Sequence, residues 1–494
     1  MGIGNKVHYL LGLVQKHGLT GLVVKFLERR NDREDQEYQK NWQSESLQRE
    51  EWECQRKAVF PQMPLISVVV PAYETPEPFL RSLVESLQQQ TYGNWQLCVG
   101  DGSVSDKVQQ VLASLQELDD RICFCHVKNG GISENTNAAL KLVRGSYVGF
   151  MDHDDCLTED ALYEVVRVLN ENPDCQVLYT DEDKIDASGE HHFRPHRKTD
   201  YNPELLRHYN YVCHFVVVEK MLLDQVGGLR SAYDGSQDYD LLLRLSERVR
   251  RFYHIDRILY HWRAHEQSTA GSSLSKDYAY EAGQRALDDY MKRRGIPAQV
   301  RAKKGRQSYT VHYLPASCSF PVLNLRDKSQ WKTLTGNSAG GEYVLLYDGT
   351  LIKRPGDGVQ RELFGYTLVG KVGMVGVRFS SHGKLLSSGY QLDSDGRLQP
   401  QFAGLPVKFH GPFDRAVIPQ NVTALPLTCV LLNTRFLPVL VDLISAYSKT
   451  GVGHPQDASP WGDMDLALAL ADQIRQAGYT VVLDADQTLD CRVV

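Results

Sequence analysis

Residues 65–71 read Leu-Ile-Ser-Val-Val-Val-Pro, a nearly continuous apolar run that ends at a proline. Such a run is typical of a parallel strand covered on both faces. When neither face of a strand meets water, polar residues no longer alternate with apolar ones. Further along the chain the patterns predict helices over 78–90, 107–118 and 137–143, and strands over 95–99, 122–127 and 146–151. Strands that alternate with helices predict βαβ units and a mostly parallel sheet flanked by helices, and therefore an α/β fold.

Acidic residues follow two of the predicted strands. Asp101 comes just after the second strand, and Asp152, Asp154 and Asp155 come just after the fourth. Ligands bind beyond the carboxyl ends of strands in open α/β sheets, so these side chains are candidate site residues. Three carboxylates within four residues repel one another unless a cation offsets them, and hard oxygen ligands suit Mg²⁺ or Mn²⁺. The alternative is a solvated loop in which Asp155 or Thr158 caps the next helix.

The composition of the 494-residue chain is that of a globular protein with about three domains. Hydrophobic residues make up 42% and charged residues 23%, which argues against a disordered chain. A net charge of -6 argues against a dedicated nucleic-acid-binding protein, so we expect no nucleic-acid partner. The 10 cysteines include no CxxC pair, and they indicate neither a zinc ribbon nor a disulfide framework. We therefore expect a reducing, cytoplasmic location.

The first 60 residues are predicted to form an N-terminal helical segment. The apolar stretch at 7–27 is interrupted by Lys16, His17 and Lys25, so it is typical of neither a membrane-spanning helix nor a signal peptide. It fits either a helix docked on its own protein or an interfacial helix, which would hold the protein peripherally on the inner face of the cytoplasmic membrane. The charged stretch at 28–57 is interpreted as a surface helix or a helical connector.

Six motifs occur in order within residues 61–303, and together they resemble the inverting family-two glycosyltransferases with a GT-A fold. They are Pro71-Ala72-Tyr73, Gly100-Asp101-Gly102-Ser103, MDHDD at 151–155, YTDEDK at 179–184, GSQDYDLLLRLSE at 235–247 and LYHWRAHEQSTAG at 259–271. The likeness is strongest to bacterial enzymes that build O-antigen, capsule or cell-wall polysaccharides, many of them described as rhamnosyltransferases. Two positions depart from the family pattern: Gly100, where Asp is frequent, and Glu74, where Asn is common.

The resemblance implies roles for particular residues of this chain. Asp238 would be the general base, and no enzyme nucleophile is needed, because a single displacement by the acceptor hydroxyl inverts the anomeric centre. Asp152, Asp154 and His261 would hold the Mg²⁺ or Mn²⁺ that offsets charge on the leaving diphosphate. The residues expected to bind the nucleotide sugar are Pro71, Tyr73, Asp101, Asp152, Gln237 and Arg263.

The resemblance also implies the partners. The donor would be a nucleotide-diphosphate sugar, with dTDP-rhamnose and UDP-sugars as candidates, and the acceptor a glycan or a lipid-linked glycan. A homo-oligomer is a further expectation. Near the expected base we predict that Asp240 caps a helix beginning at Leu241. His191, His192 and His196 are interpreted as part of a polar loop that is solvent-exposed or faces the acceptor and binds no zinc.

The chain after residue 310 repeats sequence motifs of the region before it. Residues 341–350 align without gaps on 145–154, and Asp463 stands where Asp238 stands in the first copy. In this alignment Asp154 corresponds to Thr350, which is not a hard anionic ligand for a divalent cation. His261 likewise corresponds to Cys491. The second copy is therefore predicted to be catalytically inactive.

We accordingly predict three units in the chain. They are an N-terminal helical segment at 1–60, a catalytic GT-A domain at 61–309, and a truncated, inactive GT-A-like lobe at 310–494. The last unit is expected to pack on the first domain, to bind the growing glycan or to mediate dimerisation.

Two other functions stay open on the sequence. A nucleotidyltransferase would also use an α/β sheet and acidic metal ligands, but it would carry a Gly-rich, basic phosphate loop where Pro71-Ala72-Tyr73-Glu74 stands. A non-catalytic carbohydrate-binding or scaffold protein of the same fold is the other alternative. The acidic residues retained in the domain at 61–309 favour a metal-dependent inverting glycosyltransferase.

Overall fold

The computed structural model describes residues 35, 37–42, 47–265, 273–303, 306, 308–327, 341–449 and 463–491. The apolar stretch at 7–27 therefore lies outside the described residues. Residues 37–42 and helix α1 (Arg49–Lys57) are helical, in the charged segment for which the sequence predicted a helix. Among the described residues, no helix is both long and apolar enough to cross a membrane.

The first half of the main sheet follows the predicted alternation. Its elements are β1 (Ile66–Ala72), α2 (Glu77–Gln88), β2 (Trp95–Asp101), α3 (Lys107–Leu118), β3 (Ile122–His126), α4 (Ile132–Leu140) and β4 (Tyr147–Phe150). β1 pairs in parallel with β2 and with β4, and β2 pairs in parallel with β3. Every residue of β1 is buried, as its unbroken apolar run predicts. The predicted α/β class is confirmed.

The second half of this sheet brings in antiparallel strands. Its elements are β5 (Cys156–Leu157), α5 (Ala161–Glu171), β6 (Val177–Ile185), β7 (His192–His196), α6 (Pro203–His208), β8 (Val216–Glu219), α7 (Lys220–Val226), α8 (Gln237–Ser246) and β9 (Tyr253–Arg263). The strand order is β3-β2-β1-β4-β8-β6-β9-β5, with β7 paired to β6. β8 is antiparallel to both neighbours and β9 is parallel to β6, so β1, β4, β6 and β9 all end at the same edge.

The alternative interpretation, in which Asp155 or Thr158 caps α5, is wrong. The carboxylate of Asp155 is buried and accepts hydrogen bonds from the Tyr260 hydroxyl and from the Arg263 backbone N–H. Thr158 donates its hydroxyl to Asp160 at 2.8 Å and does not cap the helix. Asp155 is directed inward because β9 lies beside this loop and offers it two donors.

The start of α8 also differs from the prediction. The helix begins at Gln237, four residues before the predicted start at Leu241, so Asp240 lies within its first turn. The buried Asp240 carboxylate accepts hydrogen bonds from the Nε atoms of Arg230 and Arg244, each at 3.0 Å. Two guanidinium groups compensate for the burial of this carboxylate. Asp240 therefore takes part in an ion-pair network and does not cap the helix.

The histidine-rich segment forms strand β7 instead of the predicted polar loop. His192 and His196 are buried where β7 pairs with β6. The Nδ1 atom of His196 lies 3.5 Å from Oε1 of Glu182, and burial lowers the pKa of this histidine. His191 stays exposed, in agreement with the prediction for that residue.

Helix α9 (Ser273–Arg293) and the antiparallel hairpin of β10 (Ala298–Ala302) and β11 (Tyr309–Tyr313) lead to a second, sheet-rich lobe. The lobe's elements are β12 (Val322–Asn324), β13 (Tyr343–Tyr347), α10 (Asp357–Gly365), β14 (Val372–Ser381), β15 (Lys384–Ser387), β16 (Tyr390–Leu392), β17 (Leu398–Pro400), β18 (Gln420–Asn421), β19 (Cys429–Asn433), α11 (Leu437–Lys449), α12 (Met464–Gln476) and β20 (Thr480–Asp490). The predicted boundary after residue 309 falls at the start of β11, so this hairpin joins the two lobes. The domain limits stay a prediction.

The sheet of the second lobe repeats the central order of the first sheet. Its strands run β12-β13-β19-β14-β20-β18. β13 is parallel to β12, β19 is antiparallel to β13 and β14, and β20 is parallel to β14. The strands β1-β4-β8-β6-β9 of the first sheet follow the same succession of directions. Among the described residues, β12 has no neighbours equivalent to β2 and β3, so the lobe is a shortened copy.

The acidic motif of the shortened copy is neutralised. Asp348, which aligns with Asp152, is buried and accepts a hydrogen bond from Arg326 Nε at 3.0 Å. The hydroxyl of Thr350 donates to the same carboxylate at 2.6 Å. A guanidinium thus stands beside the carboxylate at this position, in agreement with an inactive second lobe.

A buried carboxylate of β20, Asp484, makes stability depend on pH. Burial, reinforced by the nearby carboxylates of Asp486 and Glu362, raises the pKa of Asp484 from 3.8 to about 8. The pKa of Asp484 is higher in the folded protein than in the unfolded protein, so its contribution to folding stability is fully present below the unfolded-state pKa. This contribution is lost as the pH rises through the folded-state pKa. We expect Asp484→Asn to raise the melting temperature above pH 8 and to flatten its decline between pH 4 and pH 8, measured by calorimetry.

Asp442→Asn is the matched control, because Asp442 is exposed on α11. It should leave the pH profile of melting unchanged. A profile for Asp484→Asn that matches wild type would contradict the raised pKa.

Candidate active site

A cavity of about 1070 Å³ opens at the edge where β1, β4, β6 and β9 end. Residues from the first turns of α4 and α8 complete its wall, together with Phe413 of the second lobe. The site residues predicted from sequence that line it are Pro71, Tyr73, Asp152, Asp154, Gln237 and Asp238. Pockets for one ligand commonly measure ~300–1,000 Å³, so this cavity has room for two substrates.

The acidic loop after β4 presents two carboxylates to the cavity. Oδ2 of Asp154 lies 2.7 Å from Nε2 of His265, and Asp152 lines the same wall. His265 belongs to the LYHWRAHEQSTAG motif, but sequence analysis did not select it. β9 ends at Arg263, so the chain has left the strand at His265 and this imidazole faces the cavity. Carboxylate oxygens and an imidazole nitrogen are suitable ligands for a divalent cation.

Asp155 and Arg263 hold this loop in place. The backbone N–H of Arg263 donates to Asp155 Oδ1 at 2.7 Å, and its Nε donates to the backbone carbonyl of Asp154 at 2.7 Å. Another guanidinium nitrogen of Arg263 donates to the Ser82 hydroxyl at 3.0 Å. Burial, aided by the charges of Asp154 and Asp152, raises the pKa of Asp155 well above its usual range. Arg263 is not among the described residues that line the cavity. Its contact with the nucleotide stays a prediction.

His261 lies in a separate buried cluster. Its Nδ1 atom is 2.5 Å from Asp183 Oδ1, and Nδ1 of His192 is 2.7 Å from Asp183 Oδ2. The Tyr38 hydroxyl donates to the same carboxylate at 2.7 Å, and Trp42 stacks on His192 with ring centroids 4.2 Å apart. Asp183 also lines the cavity, so the cluster joins residues 37–42 to the cavity wall. Metal binding by His261 stays a prediction.

The loops after β1 and β2 are joined by hydrogen bonds. Asp101 is fully buried and accepts from the Ser103 backbone N–H at 2.9 Å. The Ser105 hydroxyl donates to Glu74 at 2.6 Å, and its hydrogen bonds lower the pKa of Glu74. This arrangement leaves Tyr73 47% exposed at the cavity. Asp101 lies outside the lining formed by the described residues, and its contact with the nucleotide base stays a prediction.

Close packing of α4 explains the absence of an aspartate at position 100. A Cβ atom on Gly100 would lie 2.0 Å from the backbone oxygen of Asn135 in α4. No side chain fits without displacing the helix backbone. Asp101 is therefore the one carboxylate of the motif at 100–103.

Asp238 lies in the first turn of α8 and lines the same cavity as the strand ends. Its Oδ2 atom accepts a hydrogen bond from the Asn210 side-chain amide at 2.7 Å. The carboxylate also lies near the positive end of the dipole of α8. A positioned, ionised carboxylate can take a proton from a hydroxyl group. Asn210 stands in the loop between α6 and β8 outside every motif, so sequence analysis gave no reason to choose it.

A charged network links the acidic loop to β6. His214 lies with Nε2 at 3.6 Å from Asp152 Oδ2 and Nδ1 at 3.5 Å from Glu182 Oε2. Lys198 Nζ is 3.1 Å from Glu182 Oε2 and donates to the Val212 carbonyl at 2.7 Å. Burial opposes ionisation of Glu182, but Lys198 together with the hydrogen bonds of His196 and His214 outweighs it and holds the pKa of Glu182 well below its usual range. Apart from Asp152, none of these residues was selected as a site residue from the sequence.

Residues 67–227 match the family model described as Glycosyl transferase family 2. Over 237 residues the chain is 43% identical to the uncharacterized protein y4gI of Sinorhizobium fredii, which covers 47% of this chain and 26% of that protein. Over 252 residues it is 39% identical to the O-antigen biosynthesis protein RfbC of Myxococcus xanthus, which covers 51% of this chain and 20% of that protein. The chain thus spans about a quarter or less of the length of these relatives.

A comparison of structures finds S. aureus TarS 1-349 in complex with UDP-GlcNAc. The TM-score is 0.38 with 18% sequence identity, and the match covers 46% of this chain and 66% of that chain.

Proposed function

We propose that this chain, whose residues 67–227 form a glycosyl transferase family 2 domain, moves a sugar from a nucleotide-diphosphate donor to a hydroxyl of a growing bacterial surface polysaccharide, with inversion. The observation that carries the proposal is the arrangement of the cavity. The same cavity is lined by the Asp152 and Asp154 carboxylates, which follow β4, and by Asp238 of α8 beside Asn210. The glycosyltransferase class predicted from sequence is confirmed for this domain, and similarity to a protein named for O-antigen biosynthesis supports the polysaccharide class.

The strand order supports placing the donor at the ends of β1 and β4. The chain moves from β1 to β2 and β3 on one side, and then to β4 on the other side of β1. Ligands of open α/β sheets bind at such a switch point. Tyr73 follows β1 there with its ring exposed to the cavity, where it can stack on a nucleotide base.

The residues present fit a divalent cation beside the donor diphosphate. Asp152, Asp154 and His265 would hold Mg²⁺ or Mn²⁺, because they combine two hard carboxylates with an imidazole. When bound, such an ion supplies positive charge to the oxygens of the leaving group. Arg263 keeps the Asp154 backbone in place, so the ligands are positioned before the donor arrives.

Asp238 acts on the acceptor in this proposal. The acceptor hydroxyl attacks the anomeric carbon and gives its proton to Asp238, while the bond from that carbon to the diphosphate oxygen breaks. Asn210 holds the Asp238 carboxylate by a hydrogen bond to Oδ2. One displacement inverts the anomeric centre, and no covalent enzyme intermediate is needed.

A donor screen tests the proposal. The full chain is incubated with a panel of nucleotide sugars and Mn²⁺, with and without chelator, and nucleotide release and thermal protection are measured. We expect one donor to raise the melting temperature and to release nucleotide when glycan acceptors are added. A protein that neither binds nor consumes any nucleotide sugar would refute the proposed function.

The second lobe provides a further prediction. Asp463 accepts hydrogen bonds from the backbone N–H groups of Asp465 at 2.9 Å and Leu466 at 3.0 Å, so it caps α12. Asparagine caps a helix about as well, and we therefore expect Asp463→Asn to keep near wild-type turnover and melting temperature. Asp463→Ala should lose ~0.5–2 kcal/mol of stability, measured by denaturant unfolding, with turnover still retained. Loss of turnover, or of one product linkage, in Asp463→Asn would show a second working active site.

A further inference from the structure

Phe413 belongs to the second lobe, yet it lines the cavity of the first domain. It lies in the turn Pro412–Asp414 and is 39% exposed. Its ring stacks on that of His196 in β7, with centroids 3.7 Å apart and an angle of 21° between the planes. An aromatic ring of the inactive lobe therefore forms part of the catalytic cavity wall.

The turn that carries Phe413 is firmly held. Phe413 has a φ of +51°, a conformation that a bulky residue adopts only where its surroundings impose it. Arg306 contacts Asp414 Oδ1 at 2.9 Å, and the backbone N–H of Ala416 donates to the His410 carbonyl at 2.8 Å. The orientation of the ring is thus determined by contacts around the turn.

The lobe itself is attached to the first domain by a polar contact close to the cavity. Asn202 Nδ2 donates to the Asn421 carbonyl at 2.9 Å, and the Asn421 backbone N–H donates back to Asn202 Oδ1 at 2.9 Å. The Asn421 side chain also accepts from the Glu204 backbone N–H at 3.1 Å. These reciprocal hydrogen bonds hold the lobe against α6 and keep Phe413 at the cavity.

A series of neighbouring side chains connects Phe413 to the expected base, Asp238. His196, on which Phe413 stacks, has the ring of Tyr209 at 6.3 Å, and Tyr209 immediately precedes Asn210. Asn210 in turn donates to Asp238. An acceptor that extends from Asp238 along these side chains would meet the ring of Phe413.

We propose that Phe413 is a stacking platform for a sugar ring of the acceptor glycan, so that the inactive lobe completes the acceptor site of the catalytic domain. This inference rests on the proposed function. The C–H groups of a pyranose carry partial positive charge and are attracted to the negative face of an aromatic ring. Arg194, Tyr209 and Asn210 line the same part of the cavity and offer hydrogen bonds to sugar hydroxyls. A role in acceptor binding also explains why a lobe without metal-binding carboxylates stays packed on the catalytic domain.

Three variants of the full chain test this platform. Phe413→Asn removes the ring, and asparagine tolerates a positive φ, so the turn is preserved. Phe413→Tyr keeps the ring. Leu392→Asn is the control, because Leu392 is 48% exposed on β16 of the same lobe and away from the cavity lining.

The first measurement is saturation-transfer NMR with a panel of methyl pyranosides, which need no donor. We expect wild type, Phe413→Tyr and Leu392→Asn to transfer saturation to the same glycosides, and Phe413→Asn to lose these signals. The second measurement is steady-state transfer with the donor found in the screen. Phe413→Asn should raise the acceptor KM about tenfold, while the donor KM and kcat change less than about twofold.

Several outcomes would overturn the platform. They are a wild-type protein that binds none of the glycosides, a Phe413→Asn variant with wild-type signals and acceptor KM, and an equal loss of donor and acceptor affinity. A defect limited to octyl glycosides would assign Phe413 to the lipid portion of the acceptor and would also refute it. If no nucleotide sugar is bound or consumed, the proposed function fails, but loss of the methyl glycoside signals in Phe413→Asn would still identify a sugar site.

Discussion

Asp238→Asn should abolish sugar transfer while binding of the donor nucleotide stays near wild type. The amide is almost the same size as the carboxylate, but it cannot accept the proton of the acceptor hydroxyl. A positioned general base contributes ~10²–10⁴ in rate, so turnover should fall by about that factor. Donor affinity should persist, because Asp238 lies on α8, apart from the carboxylates that follow β4.

Two measurements made together test this expectation. Calorimetry with the nucleotide diphosphate gives the donor affinity, and an assay with donor and acceptor gives the turnover. Asp463→Asn is the matched control, since it makes the same chemical change at the corresponding helix start of the second lobe. Near-normal turnover of Asp238→Asn would rule out the base assignment. Equal losses in both variants would mean that both lobes are catalytic.

Asp154→Ala should eliminate metal-dependent binding of the donor. Its side chain contacts His265 at the cavity, whereas its backbone carbonyl is held independently by Arg263, so the loop should keep its conformation. A bound cation stabilises several kcal/mol of transition-state charge, and we expect turnover to fall about 10²-fold or more. Titration of Mn²⁺ and nucleotide by calorimetry measures the loss directly.

Variants of the two histidines His261 and His265 test the metal role further. His265→Ala should weaken Mn²⁺-dependent nucleotide binding, because His265 faces Asp154. His261→Ala should instead lower the melting temperature, because it removes one of the three partners named above for the buried Asp183 carboxylate. Donor affinity that responds neither to chelator nor to Asp154→Ala would refute the metal role. A larger effect of His261→Ala on Mn²⁺ binding would restore the ligand set predicted from sequence.

The α/β class, the first four strands of the first sheet and the acidic loop after β4 could be predicted from the sequence, because they depend on local patterns. The run at 65–71 is apolar because both faces of β1 are covered, and this signal is complete within seven residues. The shortened repeat was also predictable, because residues 341–350 preserve the pattern of β4 and its acidic loop. The cap that Asp463 forms involves only the adjacent helix, α12.

The direction of side chains beyond strand ends, and contacts between distant residues, were decided only by tertiary structure. His261 and His265 are four residues apart in one motif, but one lies within β9 beside Asp183 and the other lies beyond its end beside Asp154. The hydrogen bond from Asn210 to Asp238 and the stacking of Phe413 on His196 join residues 28 and 217 positions apart. Periodicity describes one element at a time, whereas the site forms where several elements meet, and only their packing determines which side chains face one another.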